Sequence, residues 1–409
     1  MFTVRKTERP SGSGNQRLVP DNVATAGSVI GLLSLPLGWL TLKSSRVAAG
    51  TSLRLWEVEW GLVALFVGLW SACLVLSVIA IRRRAVLLGI LANIVIVLAL
   101  VSASIEASRL LAAESLTARV APGAGFWLTL FAAYVLVFAA RQKASPVWKH
   151  LISWTGLATF FGLLFLGWFD SISVMQEYLG QEERFAQELI KHVYLFAGSV
   201  AIGTLMGIPL GVWAARSRSA GKPIFFIANI TQTIPSLALF GLLIAPLSAL
   251  SFAPLSALSF AFPTLRELGI RGVGAAPAMI ALIIYTLLPV IQNTYVSLRN
   301  LDPAVIDAGR GMGMSRMQVF RRIEVPLATP IVLEGVRIAS VQSVGLTAVA
   351  ALIGAGGLGA FVFQGLGQAA PDLIILGAIP IIVLALVVDA LMRVVIRISR
   401  PRGLAGGGA

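Results

Sequence analysis

Ten apolar runs, each about 20 residues long, set what this chain can fold into, because that length matches the hydrocarbon thickness of a bilayer. They fall at 23–42, 60–80, 85–105, 121–140, 151–169, 192–214, 224–247, 276–297, 328–354 and 372–392. In lipid, backbone amides and carbonyls must be satisfied within the segment itself, so runs of this length read as helices. Of the 409 residues, 57% are hydrophobic and 12% charged, and the mean hydropathy is +0.88. The expectation is an all-α polytopic membrane protein with about ten transmembrane helices. A soluble fold is excluded.

A net charge of +14 would suggest nucleic acid in a soluble chain, but in a membrane chain its distribution decides. With the N-terminus inside, the inner segments hold Arg5, Lys6, Arg9 and Arg17; then Arg82, Arg83 and Arg84; then Arg141, Lys143 and Lys149. They continue with Arg216, Arg218 and Lys222; Arg299, Arg310, Arg316, Arg321 and Arg322; and Arg393, Arg397, Arg400 and Arg402. That is 22 of the 32 lysines and arginines, the bias of the positive-inside rule, with both termini cytoplasmic and no nucleic-acid footprint. The one cysteine, Cys73, permits no intrachain disulfide. His150 and His192 show no metal-ligand spacing, so no metal site is expected.

Residues 1–20, with Ser11-Gly12-Ser13-Gly14, read as a flexible cytoplasmic tail, and 396–409 as a second one. The charged segment Arg141–Lys149 marks a boundary between a four-helix N-terminal extension, 21–145, and a larger domain, 146–395. The first run is long for a signal peptide and reads as a retained helix. Between the fifth and sixth runs, acidic residues dominate 170–191. Tyr178, Phe185 and Leu189 recur there at helical spacing, which predicts an amphipathic helix on the outer membrane surface. Residues 246–253 and 254–261 both read Pro-Leu-Ser-Ala-Leu-Ser-Phe-Ala. The repeat is either slippage in an external loop or a lengthened contact for a periplasmic partner.

The basic loop 299–326 is patterned in detail. Asp302-Pro303 is an N-cap followed by proline at the first helical position, predicting a short helix over 303–310. Gly311 and Gly313 end it. Ser315-Arg-Met-Gln318 is a capping box opening a second helix, which Pro326 is expected to close. Asp307-Ala308-Gly309-x-x-x-Gly313, followed by Ile323-x-Val325-Pro326, resembles the coupling loop of ABC importer permeases, E-A-A-x-x-x-G-x(9)-I-x-L-P. Asp307 stands for the Glu, Gly309 for the second Ala and Val325 for the Leu. The glycine substitution would weaken an exposed helix by about 1 kcal/mol. The resemblance implies that Asp307, Ala308, Gly309, Arg310, Gly313, Arg316, Ile323 and Pro326 meet a cytoplasmic ATPase subunit.

Further stretches narrow the family. They are Thr231-Gln232-Thr233-Ile234-Pro235-Ser236-Leu237-Ala238-Leu239 and Leu352-Ile353-Gly354-Ala355-Gly356-Gly357-Leu358-Gly359. With Leu301-Asp302-Pro303 and Val325-Pro326-Leu327-Ala328, they resemble osmoprotectant (glycine betaine, carnitine, choline) permeases over roughly 190–390. The extra N-terminal helices are similar to the long YehY-like branch of that family. The resemblance implies a type I ABC importer permease core, MetI-like, preceded by an added helical bundle and lying in a bacterial inner membrane. It also implies a periplasmic substrate-binding protein and a second permease copy.

A proline inside a span frees carbonyls that only protein or water can satisfy, so Thr233, Pro235 and Ser236 are candidates to line a path. Gly354, Gly356, Gly357 and Gly359 suit a gate or a close helix contact. The charges within spans, Glu334, Arg337 and Asp389, sit near the inner surface, with Glu334–Arg337 and Asp389–Arg393 each able to neutralise itself on one helix face. None lies at the bilayer middle where an ion-driven carrier needs one. No G-x-x-x-x-G-K-[ST] loop is present, so the chain binds no cofactor of its own, and ATP and Mg belong to the partner ATPase. Phe225, Phe226, Phe240, Tyr285 and Tyr295 are the candidate cation–π contacts for a quaternary amine. Competing readings are the same machine carrying another small solute such as methionine, a carrier without an ATPase, and a membrane enzyme. The last lacks paired carboxylates, a His cluster or an activated nucleophile.

Overall fold

The computed structural model describes residues 20–79, 81–115, 117–252 and 273–400. Their contacts divide the chain into two units after Leu179, and the division falls there rather than near 145. The predicted tail 1–20 lies outside the described residues apart from Pro20, and so does the second octapeptide copy, 254–261. The first copy extends a helix as far as Phe252.

The first unit opens with α1 (Asn22–Ser34), β1 (Gly38–Lys43), β2 (Thr51–Arg54), α2 (Leu55–Val58), α3 (Trp60–Val78) and α4 (Arg84–Ala112). It continues with β3 (Arg119–Pro122), α5 (Ala124–Lys143), α6 (Pro146–Phe165) and α7 (Ser173–Leu179). The first apolar run is therefore not one helix. It is 13 helical residues, then a turn through Pro36, then a strand that starts at Gly38. The fold is predominantly helical and adds a small antiparallel sheet of order β2-β1-β3, with Leu40 opposite Pro122 and Leu42 opposite Val120.

The sheet sends Trp39 into the bundle, where its ring lies 5.0 Å from Phe66 and 5.6 Å from Phe126. Gly31 lets Trp70 lie directly against α1, since a Cβ there would fall 2.3 Å from the indole. At the sheet end, Glu177 of α7 pairs with Arg46 at 2.7 Å and with Arg119 at 3.7 Å. At the other end, Asp21 caps α1 and accepts from Lys143 at 2.6 Å, with Arg84 at 3.9 Å. Burial alone would raise the Asp21 carboxyl, but the Lys143 and Ala24 hydrogen bonds and nearby Arg84 hold it below the usual carboxylate value.

The second unit contains α8 (Glu182–Arg216), α9 (Arg218–Thr233), α10 (Ser236–Phe252), α11 (Ala275–Arg299), α12 (Pro303–Gly311) and α13 (Arg316–Val319). A π-helical turn (Phe320–Glu324) leads into α14 (Val325–Ala350). A 3-10 turn (Ala351–Ile353), α15 (Gly359–Gly367) and α16 (Pro371–Ser399) complete it. The predicted surface helix over 170–191 is instead split. Tyr178 sits on α7, while Phe185 and Leu189 belong to the first turns of α8, which runs 35 residues without a break.

Gly203, Gly207 and Gly211 form a stripe at four-residue spacing on α8. A Cβ at each would press on Thr286, Val290 and Thr294 of α11, at 2.6–2.8 Å. Without side chains on that stripe the two backbones approach closely, as helices in lipid do when packing rather than hydrophobicity joins them.

Among the described residues, seven helices are long and apolar enough to cross a membrane, and eight if the bent pair α9–α10 counts as one span. With α1 and α6 these account for the ten apolar runs. The seventh run is broken where the sequence places Pro235, the two halves bending by 105°.

Candidate functional site

The loop after α11 folds as local chemistry dictates. Asp302 accepts from the Ala304 amide at 2.9 Å with Pro303 in the first turn. Gly313 takes φ +81°, and its amide closes onto Arg310 at 2.9 Å. Ser315 and Gln318 make both bonds of the capping box, at 2.7 and 3.3 Å. One expectation fails: Pro326 does not close the second helix. The helix runs on from Arg316 into α14 through the π turn. Pro326 has no N–H to donate, and its ring crowds the carbonyl four residues back; the widened turn just ahead accommodates both.

Gly309 is buried rather than exposed, and a Cβ there would fall 2.5 Å from Ile323 Cδ1. The two halves of the motif thus touch each other, which accounts for the pairing of those two positions. Asp307 and Arg310 form an exposed pair at 3.3 Å, worth little in stability. Ala308, Arg316 and Pro326 are also exposed. Met312 and Met317 stand out at 71% and 57% exposure. Flexible apolar side chains beside arginines are what a partner surface offers.

Beneath the loop the structure brings in two residues that the sequence reading did not single out. Arg216, the last residue of α8, pairs with buried Glu324 of the π turn and lies 5.5 Å over Phe320. They are 108 positions apart, and no local signal joins them. The cleft between them, about 300 Å³, is lined by Leu298, Arg299, Ile306, Asp307 and Arg310.

At the far end of α8 the glycine run is folded onto the helix. Gly354, Gly356 and Gly357 all take positive φ, between +77° and +88°. The Gly357 amide donates to Glu188 Oε2 at 2.6 Å, and Lys191 Nζ donates to the other oxygen at 3.0 Å. The Gly274 amide donates to Ile353 at 2.9 Å. His192 Nε2 donates to the Val344 carbonyl at 3.1 Å, and its ring backs against Gly357. Gly359 is a tight helix contact, where a Cβ would sit 1.9 Å from the Ala348 carbonyl oxygen. A cleft of about 540 Å³ adjoins this turn, bordered by Glu188, Tyr194, Ala351 and Gly354.

At the break in the seventh run, the Tyr285 hydroxyl donates to the Ile234 carbonyl and Gln232 donates to the Tyr285 carbonyl at 3.0 Å. The carbonyl left over before Pro235 is thus satisfied by protein, as a span interrupted in lipid requires. Thr233 and Pro235 are exposed, and Ser236 is half-buried. The five aromatic candidates are not gathered into one cage. Tyr285 and Phe240 are buried in packing, Phe225 and Tyr295 meet edge-on at 5.1 Å beside Arg299, and Phe226 stands exposed. The charged residues of the spans join rather than neutralise separately. Arg337 bonds Glu334 at 3.0 Å and Asp389 at 2.6 Å, and Asp389 also holds Arg393.

A helical membrane domain with a capped, glycine-hinged loop at one end and a glycine turn at the other defines a polytopic transport subunit. Residues 207–401 match the family described as binding-protein-dependent transport system inner membrane component. Residues 20–175 match the ABC transporter permease YehY N-terminal domain, in line with the resemblance of the extra N-terminal helices. The osmoprotectant import permease protein OsmW of Salmonella typhimurium is 35% identical over 235 residues, 58% of this chain and 99% of that protein. The glycine betaine/carnitine/choline transport system permease protein OpuCB of Bacillus subtilis is 34% identical, over 53% of this chain and 88% of that one. Among solved structures, an inward-facing MetNI methionine ABC transporter is 20% identical with a TM-score of 0.43, covering 54% of this chain and 98% of that one.

The chain belongs to the binding-protein-dependent transport system inner membrane component family. It is a multi-pass, non-catalytic ABC importer permease, which works with an ATPase and a substrate-binding protein.

Proposed function

We propose that this permease imports a small quaternary amine of the glycine betaine, carnitine or choline kind across a bacterial inner membrane, with both termini cytoplasmic. Two copies enclose the path. An ATPase subunit docks on residues 301–326, meeting Asp307, Ala308, Arg310 and Arg316 around the Gly313 hinge. Gly309, Ile323 and Pro326 fix the loop beneath. Thr233, Pro235 and Ser236 line the path, and the turn carrying Gly354, Gly356, Gly357 and Gly359 is its gate.

The observation that carries this reading is the loop itself: a capped helix, a positive-φ glycine and a second capped helix, joined by the Gly309–Ile323 contact. An element stiff on both sides of one hinge transmits a push, which an ordinary interfacial helix has no need to do. The relatives OsmW and OpuCB, whose names specify osmoprotectants and glycine betaine, carnitine and choline, support the substrate class.

The test is uptake of labelled glycine betaine into proteoliposomes holding the chain, its cognate ATPase and its binding protein. Uptake is expected only with ATP and with all three proteins. Full-rate uptake by the chain alone would overturn ATP coupling, and competition by methionine but not by choline would overturn the substrate class.

A further inference from the structure

One helix holds both ends of the second unit. At its last residue, Arg216 grips Glu324 in the π turn under the basic loop. Near its start, Glu188 grips the amide of Gly357. The two residues are 28 positions apart on one continuous helix, roughly 42 Å at about 1.5 Å per residue.

The two attachments differ in kind from the packing between them. Glu188 is buried, yet its partners are one main-chain amide and the half-exposed Lys191. A buried carboxylate is costly unless it is paired and hydrogen-bonded, so Glu188 depends on both of these partners. The turn meets Glu188 and His192 through Gly356 and Gly357, while its Ala355 and Leu358 are buried in packing. At Gly356 a Cβ would lie 2.7 Å from Glu188 Oε2, and at Gly357 3.1 Å from His192 Nδ1. At these two glycines backbone is laid directly on the helix and kept there by a hydrogen bond. Along the rest of α8, the glycine stripe sets its backbone close against α11, so the helix and its neighbour move as one piece.

We propose that Glu188 is a latch: a positioning residue through which α8 carries movement of the basic loop, received at Arg216, to the glycine turn 354–359. The inference rests on the ATP-driven importer reading above. In it, the turn stays docked on Glu188 until α8 shifts, and the Gly357 amide then leaves the carboxylate.

The full chain with its ATPase and binding protein in proteoliposomes provides the test. Glu188→Ala is expected to hydrolyse ATP without stimulation by the binding protein and to lose about tenfold or more of its uptake, the scale of an ordinary coupling energy. Glu188→Gln keeps an acceptor oxygen and is expected to retain most of the uptake. Wild-type uptake per ATP in Glu188→Ala overturns the latch.

A second arm does not depend on how Glu188→Ala folds. Lys191→Cys with Ala355→Cys, in a Cys73→Ala background, is bridged by a short reducible thiol crosslinker. Uptake is expected to stop when bridged and return on reduction. Unchanged uptake while bridged overturns the proposal. Wild-type vesicles separate the two failures: no ATP-dependent uptake there sinks the importer reading, whereas normal uptake with indifferent variants sinks the latch alone.

Discussion

Gly313 sits at φ +81° with open space around it, whereas Gly309 has an ordinary helical backbone and a neighbour, Ile323, in the way. The two glycines therefore predict opposite responses to substitution. A β-branched residue at 313 meets no atom but pays about 1–2 kcal/mol for the left-handed conformation, or else straightens the hinge. Gly313→Val is expected to insert and purify normally while losing ATP-driven uptake. Gly309→Ala adds a methyl against the movable end of Ile323 and gains up to about 1 kcal/mol of helix propensity, so its uptake should stay near wild type. Uptake assays on the two variants decide, and wild-type transport by Gly313→Val would remove the hinge from the mechanism. Asp302, Pro303, Ser315 and Gln318 were legible in the sequence because each acts on atoms within three residues of itself. Arg216–Glu324 and Glu188–Gly357 were not, because each joins residues more than a hundred positions apart.

Elements were legible where one rule acted alone, and misread where a second one intervened. Pro235 does break the seventh run, and the compensation for the break lies on another helix, in the Tyr285 hydroxyl. Tyr285→Phe leaves the Ile234 carbonyl without that donor and is expected to cost about 1–3 kcal/mol. A fall of several degrees in thermal unfolding of the detergent-solubilised protein would show it. Phe226→Ala, at an exposed position of the adjoining helix, is the control and should leave the midpoint unmoved; equal midpoints for the two variants would refute the role given to Tyr285. The first run misled because hydropathy does not distinguish an apolar helix from an apolar strand. Only the Pro36–Gly38 interruption signalled the change, and the partners that make β1 a strand lie 16 and 82 residues downstream, in Arg54 opposite Gly38 and Pro122 opposite Leu40. Pro326 misled in the other direction, since a proline that usually ends a helix is here absorbed by a π turn.

At the scale of the whole molecule, what the apolar runs and the charges imply together is an alternation of ends. In the first unit Asp21, Arg84 and Lys143 meet at one end of the bundle, and the sheet closes the other. In the second unit Arg216, Arg299 and Arg310 border one cleft beneath the basic loop, while Glu188 and the glycine turn lie at the opposite end of α8. Each unit thus gathers cations at the ends of its helices that an inside N-terminus would place in the cytoplasm, as the cost of moving lysine and arginine across a bilayer requires. That orientation is open to direct measurement with exposed reporters in the Cys73→Ala background. Val47→Cys, between β1 and β2 and 64% exposed, belongs to the sheet end, and Met312→Cys, 71% exposed, belongs to the basic loop. In right-side-out vesicles a membrane-impermeant maleimide is expected to label Val47→Cys at once and Met312→Cys only after the vesicles are opened. The reverse order would invert the permease and put the loop beyond reach of any cytoplasmic ATPase. Labelling of both from outside would mean that an odd number of the seven runs between these two positions fails to cross, with α6, which falls short of the other spans in composition, the first to re-examine.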